Sequence, residues 1–416
     1  MRIVFVANWW YRRGGLGAVM LDEAKELGRR GHEIVPFASS HPADLGTPWG
    51  SYFPEFRETA DLGDSMSIGA RASTALRLIN NREAAASFAR LLDDVEPDVV
   101  HLHNTVRQLS PAILGCAHRR RIPVVMTLHD YSLVCPQGQL LKGERVACTA
   151  PNCVRGNPLP AVMNRCIRRR FVPSTMAAIE YGVHRATRAY SAPVQVMLAP
   201  SRFLERTLVA GGFAGRKIRY LPNGVAPGVD PPPVPKSGGV ILYAGRLARE
   251  KGLDVLLQAA RIIPHVPVLV AGDGPLRLSL ERAAPGSVRF LGQISPDELR
   301  RLRGDAVATV SPSIWYENAP ITVLESLRDG RPAIVSQMGG QPELVAGGAG
   351  LVIRARDPQA LADAIARVWH DRALASEMGR VGRDRLLASY TLDRHVSALE
   401  SIYRETVDST KAAWSR

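Results

Sequence analysis

Short apolar runs alternate with segments of helical spacing along the whole chain. Apolar residues recur three or four positions apart in the helical segments, which include Leu16–Arg30, Ala84–Leu92, Leu253–Ile263 and Leu361–Trp369. The runs predict strands at Ile3–Ala7, Ile34–Ala38, Val99–Leu102, Val124–Leu128, Gln195–Leu198, Ile218–Leu221, Val240–Ala244, Val268–Ala271, Val288–Leu291, Ala306–Val310, Ala333–Ser336 and Gly350–Ile353. This alternation predicts parallel sheets covered by helices on both faces, with ligands beyond the carboxyl ends of the strands.

A proline-rich stretch divides the chain into two similar halves. A length of 416 residues favours two domains. The composition of Ala226–Pro235 is typical of a stiff linker. We therefore expect one domain over 1–225, a linker over 226–237, a second domain over 238–390, and a terminal helix over 391–416 that is capped by Asp393 and returns to the first domain.

The composition is that of a soluble globular protein, with 46% hydrophobic and 22% charged residues. Apolar runs stay well short of the ~20 residues that a membrane helix needs. The chain enters a strand directly at Met1–Val6, which favours a cytoplasmic protein without a signal peptide. Five cysteines, an odd number, do not suggest a secreted disulfide framework.

The net charge of +14 is concentrated in one segment. Residues 101–200 hold 13 Lys/Arg against 3 Asp/Glu, an excess of 10. Within them Arg165, Arg168, Arg169 and Arg170 alternate with Met163, Ile167 and Phe171. We interpret this as an interfacial helix that meets an anionic membrane at the inner face of the plasma membrane, or as a surface for a phosphorylated substrate. A solvated arginine-rich face is the alternative, and we expect no nucleic-acid partner.

Two glutamates eight positions apart are the strongest chemical signal. Pro320 suits the first turn of a helix that Asn318 would cap, so Glu317 lies in the loop before the helix and Glu325 about two turns along it. Carboxylates accept hydroxyl protons and a helix N-terminus favours anions, so a ligand that is both polyol and phosphate fits. Alone, the pair would be two solvated glutamates.

Three glycine loops follow strands in the second half. Gly245 precedes Arg246 and Lys251, two cations that can reach one diphosphate and stabilise charge on a leaving group. The other loops are Gly272-Asp273-Gly274-Pro275, where Asp273 would cap the next helix, and Gly339-Gly340-Gln341-Pro342-Glu343. Surface cations and plain turns are the alternative for any one loop, but the loops should converge at one edge of the sheet.

The first half carries weaker signals. Gly14-Gly15 follows the first strand and brings backbone amides near an anion, but its spacing is not that of a dinucleotide fingerprint. His129 ends the fourth strand, where it can contact a substrate hydroxyl while Asp130 sets its tautomer. A buried structural histidine is the alternative. We interpret His101 and His103 as structural or supporting residues.

Taken in order, these motifs resemble retaining GT-B glycosyltransferases of family 4. The resemblance spans nearly the whole chain and is carried by the loops and glutamates named above, together with Ala199-Pro200-Ser201 and Pro222-Asn223-Gly224-Val225. It implies an α/β GT-B fold, with two Rossmann-like parallel-sheet domains facing a central cleft. It also implies an N-terminal acceptor domain and a C-terminal nucleotide-sugar domain.

The resemblance implies a role for each matching residue. Arg246 and Lys251 would hold the donor diphosphate, and Glu325 the donor ribose. Glu317 and His129 would be the catalytic residues, with Glu317 on hydroxyls of the transferred sugar and His129 near the anomeric centre. The remaining donor-binding residues would be Gly15, Gly340 and Glu343. Transfer would retain anomeric configuration, use a nucleotide-diphosphate sugar, and need neither a cofactor nor a divalent metal.

The chain departs from the common family pattern directly after Glu317. Many members have glycine and a large apolar residue where this chain has Asn318-Ala319-Pro320, which puts the sugar preference in doubt. We expect a lipid-linked acceptor in cell-surface polysaccharide or glycolipid synthesis. A soluble small-molecule acceptor is the alternative, and an epimerase, a phosphorylase or a non-catalytic glycan-binding relative represents other classes.

Four of the five cysteines lie in the basic segment. Cys135, Cys148, Cys153 and Cys166 are spaced 13, 5 and 13 residues apart. Four thiols can ligate zinc, although the Cys-x-x-Cys spacing of most zinc sites is missing. Ordinary reduced thiols are the alternative.

Overall fold

The chain divides into two compact units. The computed structural model describes residues 1–56, 74, 76–104, 107–143, 146–148 and 152–414. The first, the N-terminal unit, comprises Met1–Glu144, Cys148–Pro222 and His395–Arg416, and the second, the C-terminal unit, comprises Arg145–Ala147 and Asn223–Arg394. The bounds expected for two domains, a linker and a terminal helix stay a prediction.

The N-terminal unit is built on a six-stranded parallel sheet in the order β2-β1-β3-β4-β7-β8. The strands up to β8 are β1 (Arg2–Val6), β2 (Glu33–Phe37), β3 (Val99–His103), β4 (Val124–Thr127), β5 (Leu141–Lys142), β6 (Val146–Ala147), β7 (Val196–Ala199) and β8 (Ile218–Tyr220). The helices over the same stretch are α1 (Gly14–Arg29), α2 (Arg82–Val95), α3 (Ala112–Arg119), α4 (Leu159–Met163), α5 (Phe171–Ala186) and α6 (Arg202–Ala210), with 3₁₀ turns at Gly50–Tyr52 and Gly215–Lys217.

The C-terminal unit contains a second six-stranded parallel sheet, in the order β11-β10-β9-β12-β13-β14. Its strands are β9 (Val240–Ala244), β10 (Val268–Ala271), β11 (Val288–Gly292), β12 (Ala306–Ser311), β13 (Ala333–Ser336) and β14 (Gly350–Ile353). The helices that follow β9 are α7 (Leu253–Ile262), α8 (Arg277–Ala283), α9 (Pro296–Asp305), α10 (Ile321–Arg328), α11 (Gln341–Leu344), α12 (Pro358–His370), α13 (Arg372–Ser389) and α14 (Leu392–Trp414), with 3₁₀ turns at Arg249–Lys251 and Ala346–Gly348.

Both predicted parallel sheets are confirmed, and each predicted strand overlaps an observed one. The strands could be predicted from apolar runs because central parallel strands are buried on both faces and so contain few polar residues. In β1, Ile3, Val4, Phe5 and Val6 are all fully buried. Within the described ranges, no helix has the length and apolar character needed to cross a bilayer.

The predicted interfacial helix through the arginine cluster is wrong. Helix α4 ends at Met163 and α5 begins at Phe171. Between them Arg165, Arg168 and Arg169 adopt left-handed backbone angles, with φ of 47°, 51° and 57°. A left-handed residue interrupts an α-helix, so the cluster forms the connection between two helices.

Three predicted helix caps are also wrong. Helix α10 begins at Ile321 with Pro320 at its N-cap, so Asn318 does not cap it and Pro320 precedes its first turn. Asp273 precedes α8 by four residues and accepts a hydrogen bond from the Gly274 amide. Asp393 lies inside the first turn of α14. By contrast, Pro342 does occupy the first turn of α11 as predicted.

A buried ion pair joins α14 to α1 within the N-terminal unit. His395 Nε2 lies 2.9 Å from Glu23 Oε1, and its Nδ1 lies 2.7 Å from the Pro222 carbonyl oxygen. Both side chains are almost inaccessible to water. Burial lowers the pKa of His395, but Glu23 and the Pro222 carbonyl more than offset this and the pKa lies above its ordinary value. The imidazolium therefore helps to hold α14 on the sheet.

We expect Glu23→Gln to lower the free energy of unfolding by about 3 kcal/mol or more, because it leaves His395 buried without its counter-charge. The raised pKa of His395 contributes stability that is complete below the unfolded value of about 6.5 and is lost as pH rises through the folded value. The difference from the parent should therefore shrink in alkaline buffer. Denaturant unfolding across pH measures this, with Glu377→Gln of the exposed Glu377–Arg380 pair as control. Equal effects of both substitutions would contradict it.

Candidate functional site

The order in which strands are added to the C-terminal sheet reverses at β9. The strands β10 and β11 are added on one side of β9, and β12, β13 and β14 are added on its other side. Loops that leave the carboxyl ends of β9 and β12 are therefore neighbours at the edge where open α/β sheets bind ligands. The Ile314 amide donates to the Glu250 carbonyl over 2.9 Å and ties these loops together.

A lysine and a glutamate from these two loops form a direct ion pair. Lys251 Nζ lies 2.6 Å from Glu317 Oε1, and the Ser313 hydroxyl donates to the same oxygen over 2.7 Å. Glu317 is only 5% exposed. Burial raises its pKa, but Lys251 and Ser313 more than offset this and the pKa lies below its ordinary value. Glu317 is therefore a charged hydrogen-bond acceptor in a largely dry setting.

The other predicted cation and glutamate also have charged partners. Arg246 pairs with Glu250, and its side chain remains 59% exposed. Glu325 Oε2 lies 3.2 Å from Arg303 Nη1. Arg303 also bonds Asp329 over 2.6 Å, which fixes it beneath α10. Glu325 therefore projects from a charged network, while Arg246 is accessible to a ligand.

The glycine loops pack backbone against backbone at this edge. A Cβ at Gly272 would lie 2.0 Å from the Gly245 carbonyl oxygen, and the Leu247 amide donates to the Asp273 carbonyl over 2.8 Å. A Cβ at Gly339 would lie 2.0 Å from the Glu317 carbonyl oxygen. The three loops predicted to converge are thus in contact with the site or with one another.

Gly340 and Glu343 occupy the same edge in a supporting geometry. The Gly340 amide donates to the Glu317 carbonyl over 2.7 Å, and the Glu343 amide donates to the Gly340 carbonyl over 3.1 Å. The Gly340 amide thereby anchors the backbone of Glu317. Contact of Gly340 and Glu343 with a donor stays a prediction.

Sequence reasoning missed the direct Lys251–Glu317 bond and the supporting Ser313. Lys251 and Glu317 are 66 residues apart, and no spacing rule relates them. Trp315 was also missed; its ring centroid lies 5.3 Å from Lys251 Nζ. The available signal for Ser313 and Trp315 was their position in the loop between β12 and α10, because this loop follows the strand next to β9.

In the N-terminal unit a line of buried polar groups ends at His129. His129 Nε2 lies 3.3 Å from His103 Nδ1, and His103 Nε2 lies 3.8 Å from Glu23 Oε2. Burial lowers the pKa of His129 to about 3, with a further contribution from His395. His129 is therefore a neutral imidazole that can exchange a hydrogen bond with a ligand.

The predicted contact of Asp130 with His129 is wrong. Asp130 instead accepts hydrogen bonds from Asn104 Nδ2 over 2.7 Å and from the Ser132 amide over 2.8 Å. His103 is the residue that bonds His129. His101 bonds Thr127 over 2.8 Å and the Tyr403 hydroxyl over 2.6 Å, a structural arrangement.

A cavity of about 830 Å³ opens in the N-terminal unit beside the start of α1. Gly15 lies in the exposed first turn of α1, whose N-cap residue Arg13 makes no side-chain cap. Tyr11 stacks on His41 with ring centroids 4.8 Å apart. Among the described residues, the charged side chains that line the cavity are one glutamate, Glu180, and five arginines: Arg12, Arg13, Arg107, Arg168 and Arg170. The cavity thus offers aromatic faces and a strongly positive surface.

Two family models together match most of the chain. The model for Glycosyltransferase Family 4 matches residues 13–229, more than half of the sequence. The model for Glycosyl transferases group 1 matches residues 230–385.

Curated relatives match over part of their length. The D-inositol 3-phosphate glycosyltransferase of Corynebacterium urealyticum is 36% identical over 156 residues, which are 33% of this chain and 36% of that protein. The O-antigen chain mannosyltransferase C of Escherichia coli is 29% identical, over 40% of this chain and 47% of that protein. The chain therefore aligns with less than half of either relative.

The fold itself is similar over nearly the whole chain to a solved structure. Anabaena Alr3699/HepE in complex with UDP-glucose has a TM-score of 0.65, with 98% of this chain and 100% of that chain covered at 15% identity. The likeness confirms the GT-B class that the motifs predicted, with two parallel-sheet α/β domains.

We expect Gly339→Ala to destabilise the C-terminal unit more than Gly347→Ala does. Both glycines have left-handed angles, with φ of 67° and 73°, so each alanine adds a backbone strain of roughly 1–2 kcal/mol. A Cβ at Gly347 would have no atom within 4 Å, whereas one at Gly339 strikes the Glu317 carbonyl. Overpacking adds roughly 1–3 kcal/mol. Denaturant unfolding measures the difference, and equal losses would show that Gly339 does not hold Glu317.

Proposed function

The chain belongs to glycosyltransferase family 4, and on this premise we propose that it transfers a sugar from a nucleotide-diphosphate donor to an acceptor hydroxyl. The proposal includes retention of anomeric configuration, and an acceptor in cell-surface polysaccharide or glycolipid synthesis. The observation that carries it is the Lys251–Glu317 pair at the reversal point of the C-terminal sheet.

The donor has two kinds of group to be recognised, and this edge supplies a partner for each. Lys251 and the exposed Arg246 are cations that a diphosphate can engage, which stabilises negative charge as the diphosphate leaves. We assign this neutralisation to the two side chains without a divalent metal. Glu317 has a second carboxylate oxygen, Oε2, to accept hydroxyl protons of the transferred sugar. Glu325 accepts those of the ribose.

His129 acts as a neutral group near the reacting sugar. Its low pKa keeps a positive charge away from the anomeric centre, where positive charge develops as the diphosphate departs. The neutral ring donates or accepts a hydrogen bond to a sugar hydroxyl, with its orientation set by His103. No side chain is assigned as a covalent nucleophile, and the leaving phosphate takes the acceptor proton.

The acceptor binds in the N-terminal unit. Aromatic rings such as Tyr11 and Trp9 stack on sugar faces, while the arginines and the start of α1 near Gly15 bind an anionic group. One relative is named for D-inositol 3-phosphate, a phosphorylated polyol, and another for an O-antigen chain. We favour a lipid-linked acceptor, because Met163 and Phe171 beside the arginines are 73% and 59% exposed.

Lys251→Ala should weaken donor binding by about tenfold or more, because a hydrogen bond to a charged group contributes roughly 1.5–3 kcal/mol. Isothermal titration with a panel of uridine, guanosine and adenosine diphosphate sugars measures this. Arg249→Ala is the matched control, since Arg249 is an exposed cation of the same 3₁₀ turn. Equal donor affinity of the parent and Lys251→Ala would remove Lys251 from the donor site.

Glu317→Gln should reduce kcat by about tenfold or more, since a neutral amide accepts sugar hydroxyl protons less strongly than a carboxylate. Steady-state transfer assays measure it, and thermal unfolding separates the effect from instability caused by the loss of the Lys251 bond. Glu281→Gln, on a half-buried glutamate of α8 that pairs with Arg277, is the control. A folded Glu317→Gln protein with parental turnover would refute the catalytic role.

Substitution of Arg168, Arg169 and Arg170 by Gln should weaken binding to anionic vesicles while donor affinity is unchanged. Each cation near an anionic surface contributes about 1 kcal/mol, and salt screens the attraction. Co-sedimentation with phosphatidylserine vesicles at low and high salt measures it. Arg282, Arg300 and Arg301, exposed in the C-terminal unit, give a control triple of equal charge. A parent that binds no vesicles would favour a soluble acceptor.

A further inference from the structure

Four cysteines gather in the segment that connects β4 to α5. Cys135, Cys148, Cys153 and Cys166 all belong to the N-terminal unit, while Cys116, the fifth, lies apart in α3. None of the five forms a disulfide bond in the part of the chain that the structure describes. The described parts of the segment contain little regular structure beyond the short β5, β6 and α4. The segment is therefore held mainly by turns and by scattered buried side chains such as Val134, Leu140 and Val154.

Two of the cysteines begin similar turns. The sequences Cys135-Pro136-Gln137-Gly138 and Cys153-Val154-Arg155-Gly156 both place glycine three positions after cysteine. In each turn the glycine amide donates to the cysteine carbonyl over 2.9 Å. The glycines have φ of 82° and 98°, which side-chain-bearing residues rarely adopt. In turns of this shape the backbone amides of the residues that follow the cysteine point back towards its sulfur.

Backbone amides do reach these sulfurs. Amides of Leu140, Gln137 and Gly138 hydrogen-bond the Cys135 sulfur. The Ala161 amide hydrogen-bonds the Cys153 sulfur. Amides that point at a sulfur stabilise a thiolate more than a neutral thiol, because they supply positive charge without a proton of their own. This is an arrangement suited to metal-bound sulfur.

Backbone contacts bring the other two cysteines to the same turns. The Cys148 amide donates to the Leu140 carbonyl over 2.7 Å, next to the turn of Cys135. The Cys166 amide donates to the Ala161 carbonyl over 2.9 Å, next to the turn of Cys153. Tyr181 of α5 anchors the arrangement, since its hydroxyl donates to the Cys153 carbonyl over 2.6 Å.

The two pairs of cysteines lie near each other. Cys153 interacts electrostatically with Cys135, Cys148 and Cys166, so its sulfur is in the neighbourhood of the other three. Cys135 interacts in the same way with Cys148.

We propose that Cys135, Cys148, Cys153 and Cys166 bind a structural zinc ion in tetrahedral coordination. The ion ties the turns of the segment together, and its binding releases the thiol protons. Four thiolates and Zn²⁺ carry a net charge of −2, which the surrounding excess of arginines offsets. No catalytic step involves the ion.

The sulfurs must close around the ion as it binds. Zn–S bonds of about 2.3 Å place tetrahedral sulfurs about 3.8 Å apart. Among the described residues, Glu23, His101 and His103 form the one group with three ligand atoms within 4.8 Å of one another. Both ring nitrogens of His101 are bonded, to Thr127 and Tyr403, so this group lacks a third available ligand although Glu23 Oε2 and His103 Nε2 have no hydrogen-bond partner in the part of the chain that the structure describes.

The zinc site would position part of the acceptor cavity. Cys166 is followed directly by Ile167 and Arg168, and Arg170 comes two residues later; all three line the cavity of the N-terminal unit. The connection that carries them has left-handed angles at Arg168 and Arg169 and lies between short elements. Fixing Cys166 therefore fixes the start of the arginine cluster.

The experiment is metal analysis of untagged, reduced protein grown with added zinc. We expect one zinc ion per chain by plasma mass spectrometry in the parent and in Cys116→Ser, and loss of zinc from Cys135→Ser and Cys153→Ser. Chelator treatment of the parent should expose four further thiols to a thiol reagent and lower the thermal unfolding midpoint. A parent that stays metal-free after addition of Zn²⁺ would overturn the proposal.

A second measurement uses only the parent protein, so it tests the site even if the cysteine variants fail to fold. Co²⁺ added to the reduced, metal-free parent should produce thiolate-to-cobalt charge-transfer absorption and the visible bands of tetrahedral cobalt, and added Zn²⁺ should abolish both. Absence of these bands would overturn the site. A mass deficit showing two disulfides in protein kept under reducing conditions would overturn it as well. These readouts do not depend on transfer activity, so they are independent of the proposed function.

Discussion

Glu317 is a charged carboxylate that is almost fully buried. A buried carboxylate is stable only when a cation or hydrogen-bond donors contact it. Lys251 and Ser313 meet this requirement on one oxygen, and they come from different loops. The loops after β9 and β12 are therefore held together by the need to neutralise one side chain. Glycines at the edge follow from the same constraint, because the backbone of Glu317 is pressed against Gly339 with no space for a Cβ.

Under the proposed function, this pairing would change how a diphosphate binds. Lys251 already balances Glu317 before any anion arrives. A diphosphate that engaged Lys251 would leave more of the Glu317 charge available for sugar hydroxyls. The two halves of the proposed donor would then be recognised in a linked way, and a nucleoside diphosphate without a sugar would leave the carboxylate incompletely paired.

The sequence predicted those features that depend on local pattern. Strands such as Val240–Ala244 and Ala333–Ser336 were predicted to the residue because buried parallel strands are continuous apolar runs. The glycine loops were predicted because their conformations and close approaches require glycine. Local pattern failed at Arg165–Arg170, where apolar and basic residues had helical spacing but left-handed angles break the helix. Side-chain partners such as Lys251–Glu317 and His103–His129 depend on the fold and have no local signal.

The two units differ in the balance of their charges. At the edge of the C-terminal sheet three cations each have an acidic partner: Arg246 with Glu250, Lys251 with Glu317, and Arg303 with Glu325. The N-terminal cavity is lined by five arginines and one glutamate, so its lining carries an excess of positive charge even though Arg12 pairs with Asp22 and Arg107 with Glu180. A site with balanced charges selects a ligand that satisfies both signs, as a sugar diphosphate does with its phosphates and hydroxyls. A lining with excess positive charge attracts an anion over distance and tolerates variety in the rest of the molecule. Under the proposed function, donor selection would therefore rest on geometry in the C-terminal unit, and acceptor binding on the net charge of the N-terminal cavity.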